Sequence, residues 1–345
     1  MTVRRLLIGT YTPREPEPGG SRGIYEAMFD DATGEFAVTG LAAEAQSPAF
    51  LAQCGDFVYS VNELDRGRVS SFAVTDDGLA FLNAVPTEGA YPCHLAATSD
   101  WLSVANYSTG SVATFRINDG AIGQRIDFAQ HTGAGPNPIR QKSAHAHQTY
   151  LLTDGDMLVP DLGGDRLYWY RVDAAGAFVG EPGVTQLAAG AGPRHVERHP
   201  TLPVLYVINE LGNTIDVLER HADSPMRILQ TVSTLPDGFD GASTTSEIIV
   251  SADGRFVYGS NRGHDSIVSF AANDAGWLSE PEHVSTRGEH PRFFTLDPSG
   301  GWLLAANQNS DNVVVFALED GRPRDVVCET AVPRPVCLLF LAETG

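Results

Sequence analysis

Hydrophobic and polar positions along this 345-residue chain alternate in short runs that are typical of β-strands. Segments such as Ser111–Phe115 and Asn312–Phe316 are rich in Val, Thr and Phe, which favour pleated strands. Apolar residues do not recur with the 3.6-residue period of a helix, so we expect very little helix. Pairs such as Asp119-Gly120 separate the runs, and such residues adopt the positive φ of tight hairpins. The pattern predicts an all-β protein.

One strand pattern recurs seven times along the chain. A short apolar run ends in a polar residue, most often Asn, and successive examples lie 44 to 55 residues apart. This spacing is close to the roughly 40–50 residues of a four-stranded propeller blade. The seven polar positions are Thr10, Asn62, Asn106, Asp161, Asn209, Asn261 and Asn307.

The two ends of the chain complement one another. Pro335–Phe340 matches the innermost strand of a repeat but has no strand of the Asn type after it. Arg5–Gly9 matches the Asn-type strand but has no strand before it. Sharing one blade would close the ring and remove two exposed sheet edges. The sequence predicts a single domain over residues 1–345, a seven-bladed β-propeller of four-stranded antiparallel blades closed by the N- and C-terminal strands.

Charge and composition restrict the partners. The formal net charge is −20, from 43 acidic and 23 basic residues, which disfavours nucleic acid and anionic membranes. The apolar run before Gly9 is too short for a signal peptide, and no run approaches the ~20 apolar residues of a membrane span. We therefore expect a cytoplasmic protein, and a monomer because ring closure removes free edges. The four cysteines lack CxxC spacing and are interpreted as small core residues.

Charged and aromatic residues occupy equivalent positions of several repeats, and in a propeller these positions converge on the central channel. They lie at the start of the innermost strand or beside the repeated polar residue: Tyr11, Glu63, Tyr91, Tyr107, His145, His147, Arg194, His195, Glu210, Glu247, Arg262, Arg292, Gln308 and Arg334. A structural interpretation stays open, in which the Asn residues hold turns and the arginines pair with carboxylates between blades. His145 and His147 also suggest a metal, but no third ligand is evident.

Several of these motifs in combination resemble a known family, the seven-bladed lactonases. That family includes propeller-type 6-phosphogluconolactonases and fungal 3-carboxy-cis,cis-muconate cycloisomerases. The resemblance covers essentially the whole chain and implies a metal-independent site without a cofactor. The motifs are Gly9-Thr10-Tyr11-Thr12, Ser143-Ala-His145-Ala-His147, Gly192-Pro-Arg194-His195, Asn209-Glu210, Ser260-Asn261-Arg262-Gly263-His264-Asp265-Ser266, Pro291-Arg292 and Ala306-Asn307-Gln308.

The family's active-site residues fall here on His147, Arg194, Glu210 and Arg262, which we take as the catalytic set. Lactone hydrolysis needs a base for water, a role for His147 or Glu210. It also needs a donor for the oxyanion and a grip on an anionic group, roles for Arg194 and Arg262.

The expected substrate is a small anionic or sugar lactone. Substrate-binding residues are expected at Tyr11, Glu63, Tyr107, His145, His195, Arg292 and Gln308. Two alternatives remain: a cycloisomerase that forms a lactone from a carboxymuconate-type substrate, and a binding propeller without catalysis.

Overall fold

The computed structural model describes residues 2–15, 17–220 and 225–342, which form 28 β-strands and no helix. The first fourteen strands are β1 (Val3–Thr10), β2 (Gly23–Asp30), β3 (Phe36–Glu44), β4 (Pro48–Cys54), β5 (Phe57–Asn62), β6 (Arg68–Thr75), β7 (Gly78–Pro86), β8 (Pro92–Ala97), β9 (Trp101–Asn106), β10 (Ser111–Asn118), β11 (Ala121–Gln130), β12 (Tyr150–Leu151), β13 (Asp156–Asp161) and β14 (Arg166–Arg171). The other fourteen are β15 (Gly183–Gln186), β16 (Pro193–Arg198), β17 (Val204–Asn209), β18 (Thr214–Glu219), β19 (Arg227–Ser233), β20 (Thr244–Val250), β21 (Phe256–Arg262), β22 (Ser266–Ala271), β23 (Glu282–Ser285), β24 (Pro291–Leu296), β25 (Trp302–Asn307), β26 (Asn312–Glu319), β27 (Arg322–Ala331) and β28 (Pro335–Phe340).

The strands pair into seven four-stranded sheets. Six sheets are meanders of consecutive strands, from β4-β5-β6-β7 through β24-β25-β26-β27. The seventh has the order β28-β1-β2-β3, so the C-terminal strand lies beside the N-terminal strand. The prediction of an all-β, seven-bladed propeller with one blade shared by both chain ends is confirmed. No helix in the described ranges is long and apolar enough to cross a membrane.

The chain divides into two compact units, which we describe separately. The N-terminal unit consists mainly of Gly40–Pro193, with Gly9–Glu26. The C-terminal unit consists mainly of Arg194–Phe340, with Ala27–Thr39 and the first strand as far as Ile8. The expectation of a single domain over residues 1–345 stays a prediction.

The core of the C-terminal unit lies between adjacent blades. One cluster joins Val204, Ile208 and Val217 to Val257 and Phe270, so it packs β17 and β18 against β21 and β22. Burial of each such side chain contributes about 1.5–3 kcal/mol before the entropy of ordering is subtracted. Because blades pack on both sides, the middle strands are buried on both faces and appear in sequence as continuous apolar runs.

The N-terminal unit has a similar core, in which Val112 on β10 packs with Met157, Val159 and Tyr168 of the next blade. The repeated Asn has the structural role expected of it. Asn106 Nδ2 donates to the carbonyl of Thr87 and to the hydroxyl of Ser111, at 3.3 and 3.2 Å.

Asn261 repeats this arrangement in the C-terminal unit, donating to the carbonyl of Thr234 and the hydroxyl of Ser266. The repeat therefore marks buried amides that connect two strands of a blade and also bond the residue after the last strand of the preceding blade. All four cysteines lie in the described residues and are free thiols; Cys93 and Cys337 are buried, whereas Cys54 and Cys328 are partly exposed.

Candidate active site

A buried carboxylate joins two arginines in the C-terminal unit. Arg194 lies in β16, Glu210 directly follows β17, and Arg262 is the last residue of β21. Their relative exposures are only 3, 2 and 7 %. Glu210 Oε2 lies 3.3 Å from Nε of Arg194 and 2.9 Å from Nη2 of Arg262. Three of the four predicted catalytic residues therefore form one connected group, which we call the arginine pair with its bridging carboxylate.

Main-chain carbonyls at the start of β20 hold the outer ends of both guanidinium groups. Arg194 Nη1 donates to the carbonyl of Ser246 at 2.8 Å, and Arg262 Nη2 donates to that of Thr245 at 2.7 Å. The β20–β21 register shifts between Thr245 and Ile248, as in a β-bulge. Bulges often lie beside active sites, because they redirect the groups of a strand. The guanidinium groups are thus fixed before any ligand arrives.

A third guanidinium group lies near the arginine pair. Arg292 of β24 adds a third guanidinium near Arg262, against the carboxylates of Glu210 and Glu247. Burial, reinforced by the charges of Arg194 and Arg292, lowers the pKa of Arg262 to about 10, so it is still protonated at neutral pH. Its buried Nε has no hydrogen-bond partner among the described residues. This unused donor, on a buried guanidinium group, favours a ligand that accepts hydrogen bonds, such as an anion.

His195 and Glu247 form a second buried pair. Nδ1 of His195 lies 2.8 Å from Oε1 of Glu247, and their relative exposures are 2 and 5 %. The same oxygen accepts the main-chain N–H of Ile248 at 3.1 Å, which assigns it as an acceptor and Nδ1 as the donor. Burial, followed by the charges of Arg194 and Arg292, lowers the pKa of His195 well below 6.5, so the imidazole is neutral at neutral pH.

Tyr107 organises the predicted residues of the N-terminal unit. The ring of His145 stacks on Tyr107 at 4.5 Å, and its Nδ1 bonds the Tyr107 carbonyl at 2.8 Å. The ring of His147 meets Tyr107 edge-on at 5.4 Å. Arg140 donates to the Tyr107 hydroxyl at 2.9 Å. The structure therefore brings Tyr107, His145 and His147 together.

His147 is buried and held by its main chain. Its N–H donates to the carbonyl of Pro160 at 2.9 Å, and its own carbonyl accepts the thiol of Cys93 at 3.1 Å. These contacts set the position of the residue, whereas its catalytic role stays a prediction. In the described ranges, no three His, Cys, Asp or Glu side chains are grouped so that they could hold a metal ion.

The remaining predicted binding residues lie in smaller contacts. Tyr11 donates its hydroxyl to Oε2 of Glu63 at 2.6 Å, so these two residues of the N-terminal unit pair with each other. In the C-terminal unit, Gln308 donates its main-chain N–H to the carbonyl of His290. Its buried Oε1 has no hydrogen-bond partner in the part of the chain that the structure describes.

Sequence reasoning missed two contacts that shape these groups. Arg140 lies in a Gly/Pro-rich loop, and nothing in that sequence shows that its side chain reaches Tyr107. Glu247 occupies an inner-strand position of the repeat, but that position alone does not indicate which residue it contacts. Its spacing of 52 residues from His195, about one repeat, was the available signal.

Comparisons with known proteins agree with this architecture. Residues 5–340 match the family model described as lactonase, 7-bladed beta-propeller. The chain is 37 % identical to a 6-phosphogluconolactonase of Bacillus subtilis, over 99 % of this chain and 100 % of that protein.

Two solved structures are similar over nearly their whole length. A protein from Lactobacillus plantarum has a TM-score of 0.92 and 32 % identity, covering 99 % of this chain and 100 % of that one. The periplasmic gluconolactonase of Pseudomonas aeruginosa has a TM-score of 0.89 and 31 % identity, covering 99 % of each chain.

Proposed function

The chain belongs to the 7-bladed β-propeller lactonase family, and on that premise we propose that it hydrolyses a small acidic or sugar lactone without a metal ion. The B. subtilis relative is named a 6-phosphogluconolactonase, which makes 6-phosphogluconolactone the first substrate to test. The P. aeruginosa relative is named a gluconolactonase, so the unphosphorylated sugar lactone is the second. That relative is also named periplasmic, and the cytoplasmic location of this chain stays a prediction.

The observation that carries the proposal is the buried arginine pair with its bridging carboxylate. When water adds to a lactone carbonyl, negative charge develops on the carbonyl oxygen, and preorganised donors stabilise it. Arg194 and Arg262 are held by Ser246, Thr245 and Glu210, so their donors need no reorganisation during the reaction. One arginine stabilises the oxyanion, and the other binds the carboxylate or phosphate of the substrate.

Glu210 has the geometry of a positioning group. A single oxygen of its carboxylate contacts both guanidinium groups, and both are buried with it. We assign it the task of orienting the arginines, which leaves a histidine as the proton acceptor for water. His147 is the predicted residue for that role, and an imidazole suits it because its ordinary pKa lies near neutral pH.

The test is a pH-stat assay of acid release from 6-phosphogluconolactone and gluconolactone, with and without EDTA. We expect turnover of one lactone that EDTA does not reduce. Arg194→Ala, Arg262→Ala and His147→Ala should each lower kcat/KM by about 10²-fold or more. Arg227→Ala is the control, because Arg227 forms an exposed ion pair with Glu219 in the C-terminal unit.

Each outcome of this assay has a definite meaning. Full activity in Arg194→Ala or Arg262→Ala would remove the arginine pair from the mechanism. A folded protein that hydrolyses neither lactone would contradict the proposal. Lactone formation from a carboxymuconate-type acid would then identify a cycloisomerase.

A further inference from the structure

The pair of His195 and Glu247 lies directly beside the arginine pair in sequence and in space. His195 follows Arg194 on β16, and Glu247 follows Ser246 on β20. Arg194 donates to the Ser246 carbonyl, and His195 bonds the Glu247 carboxylate one residue further along both strands. The same two strands therefore position an anion-binding guanidinium and an imidazole as neighbours.

Glu247 fixes the orientation and tautomer of this imidazole. Its Oε1 receives both Nδ1–H of His195 and the N–H of Ile248, and its main-chain N–H donates to the Ser260 hydroxyl at 3.0 Å. With Nδ1 as the donor, Nε2 carries the lone pair of the neutral ring. A histidine whose Nδ1–H is held by a carboxylate is the arrangement that serine hydrolases use for proton transfer.

We infer that His195 is a catalytic acid–base residue of this site and that Glu247 is its positioning residue. The inference rests on the proposed lactone hydrolysis at the arginine pair. It assigns to His195 the proton transfer that the sequence predicts for His147, and so gives His195 a role in catalysis beyond the substrate binding expected from sequence.

The proposed hydrolysis needs no reactant other than the lactone and water. Nε2 of His195 accepts a proton from water while the water oxygen bonds to the carbonyl carbon, and the C=O π electrons move to the oxygen facing the arginines. When the C=O bond re-forms, the bond to the ring oxygen breaks, and that oxygen takes the proton from His195. The product hydroxy acid then ionises and releases one proton, which the pH-stat records.

The surrounding charges link this base to substrate binding. Burial, and then the charges of Arg194, Arg292 and Arg262, keep the pKa of His195 low, and Glu210 opposes them. An anionic substrate on the arginines offsets part of that positive charge. The basicity of His195 therefore rises when the substrate is bound, which brings it closer to the value suited to catalysis near neutral pH.

The first experiment compares His195→Ala with wild type and adds free imidazole. We expect His195→Ala to lower kcat by about 10²-fold or more with KM changed only a few-fold, because the arginines remain. Imidazole should restore part of the lost kcat in a concentration-dependent way. A purely structural histidine would show no such rescue. His199→Asn is the matched control, since His199 is also buried in this unit and its Nδ1 accepts the main-chain N–H groups of Thr201 and Leu202.

The second experiment uses Glu247→Gln, which keeps the shape of the side chain and covers the case in which His195→Ala does not fold. It should lower kcat by at least about tenfold, because a carboxylate that orients a catalytic histidine can contribute far more than that. The acid limb of the kcat–pH profile should also move to lower pH, because loss of the carboxylate charge lowers the pKa of the imidazole.

Failure of the proposed function and failure of this inference give different experimental results. Wild-type protein without any lactone hydrolysis contradicts the proposed function. If wild type is active and Arg262→Ala is inactive, the proposed function stands. In that case full activity of His195→Ala, or an unshifted kcat–pH profile of Glu247→Gln, overturns this inference alone.

Discussion

Replacing Glu210 by Gln would remove the negative charge that bridges Arg194 and Arg262 while keeping the shape of the side chain. At an effective dielectric constant of about 20, unit charges ~4 Å apart attract by about 4 kcal/mol, and desolvation offsets part of this. Removing one partner of a buried ion pair costs about 3–5 kcal/mol, because the remaining charge stays buried without compensation. With both guanidinium groups affected and all three residues buried, we expect a loss in that range.

The assay is urea unfolding followed by tryptophan fluorescence, with the midpoint compared at a common slope. Glu219→Gln is the matched control. Glu219 pairs with Arg227 at 2.7 Å, but the Arg227 side chain is 66 % exposed, so the expected loss is only about 0–1 kcal/mol. Both variants lose one carboxylate charge from a Glu–Arg pair in the same unit, so burial is the main difference between them.

Inorganic phosphate offers a second test of whether Glu210 compensates the buried charge of the two arginines. In Glu210→Gln an anion takes over the role of the lost carboxylate, so phosphate should raise the midpoint more than it does in wild type. A ligand at 100 times its Kd stabilises by about 2.7 kcal/mol. An equal loss in Glu210→Gln and Glu219→Gln, or an equal phosphate shift in Glu210→Gln and wild type, would refute the argument.

Three further predictions concern single residues. Arg262→Lys should lower kcat/KM by about 10²-fold in initial-rate assays, because one ammonium group does not reproduce the fork of a guanidinium; unchanged kcat/KM would contradict this. Burial, followed by nearby arginines, lowers the pKa of His290 from 6.5 to about 4, so the unfolded chain takes up its proton first as the pH falls. The free energy of unfolding should therefore decrease as the pH falls from 6.5 to 4. The decrease should be smaller in His290→Asn, which lacks the imidazole; Asn is chosen because it tolerates the φ of 61° at this position. Gly120→Ala should lower the unfolding midpoint strongly, because its Cβ would lie 2.1 Å from the Phe57 ring at a φ of 79°. Gly55→Ala, with a φ of 56° and open space, should lose only the ~1–2 kcal/mol of backbone strain.

The blade count and the shared blade followed from local sequence patterns. Each repeat places an apolar strand and a buried amide such as Asn261 at a fixed offset, because every blade has to bury the same faces against its neighbours. The assignment of Pro335–Phe340 to the first blade followed from its strand pattern, and the β28-β1 pairing confirms it. The resemblance also identified Arg194, Glu210 and Arg262, which the structure brings together.

The contacts between these residues were decided by the tertiary structure alone. Strand patterns specify which positions face a neighbouring blade, but not which oxygen a side chain reaches. One oxygen of Glu210 therefore serves two arginines, and Tyr11 bonds Glu63, as results of packing across whole blades. The bond between His195 and Glu247 joins residues 52 positions apart, and their spacing of about one repeat does not by itself show that the two side chains meet. The sequence by itself determined the architecture and most of the candidate residues. Only the folded chain, by packing distant strands together, decided how these residues are oriented and paired and how their pKa values shift.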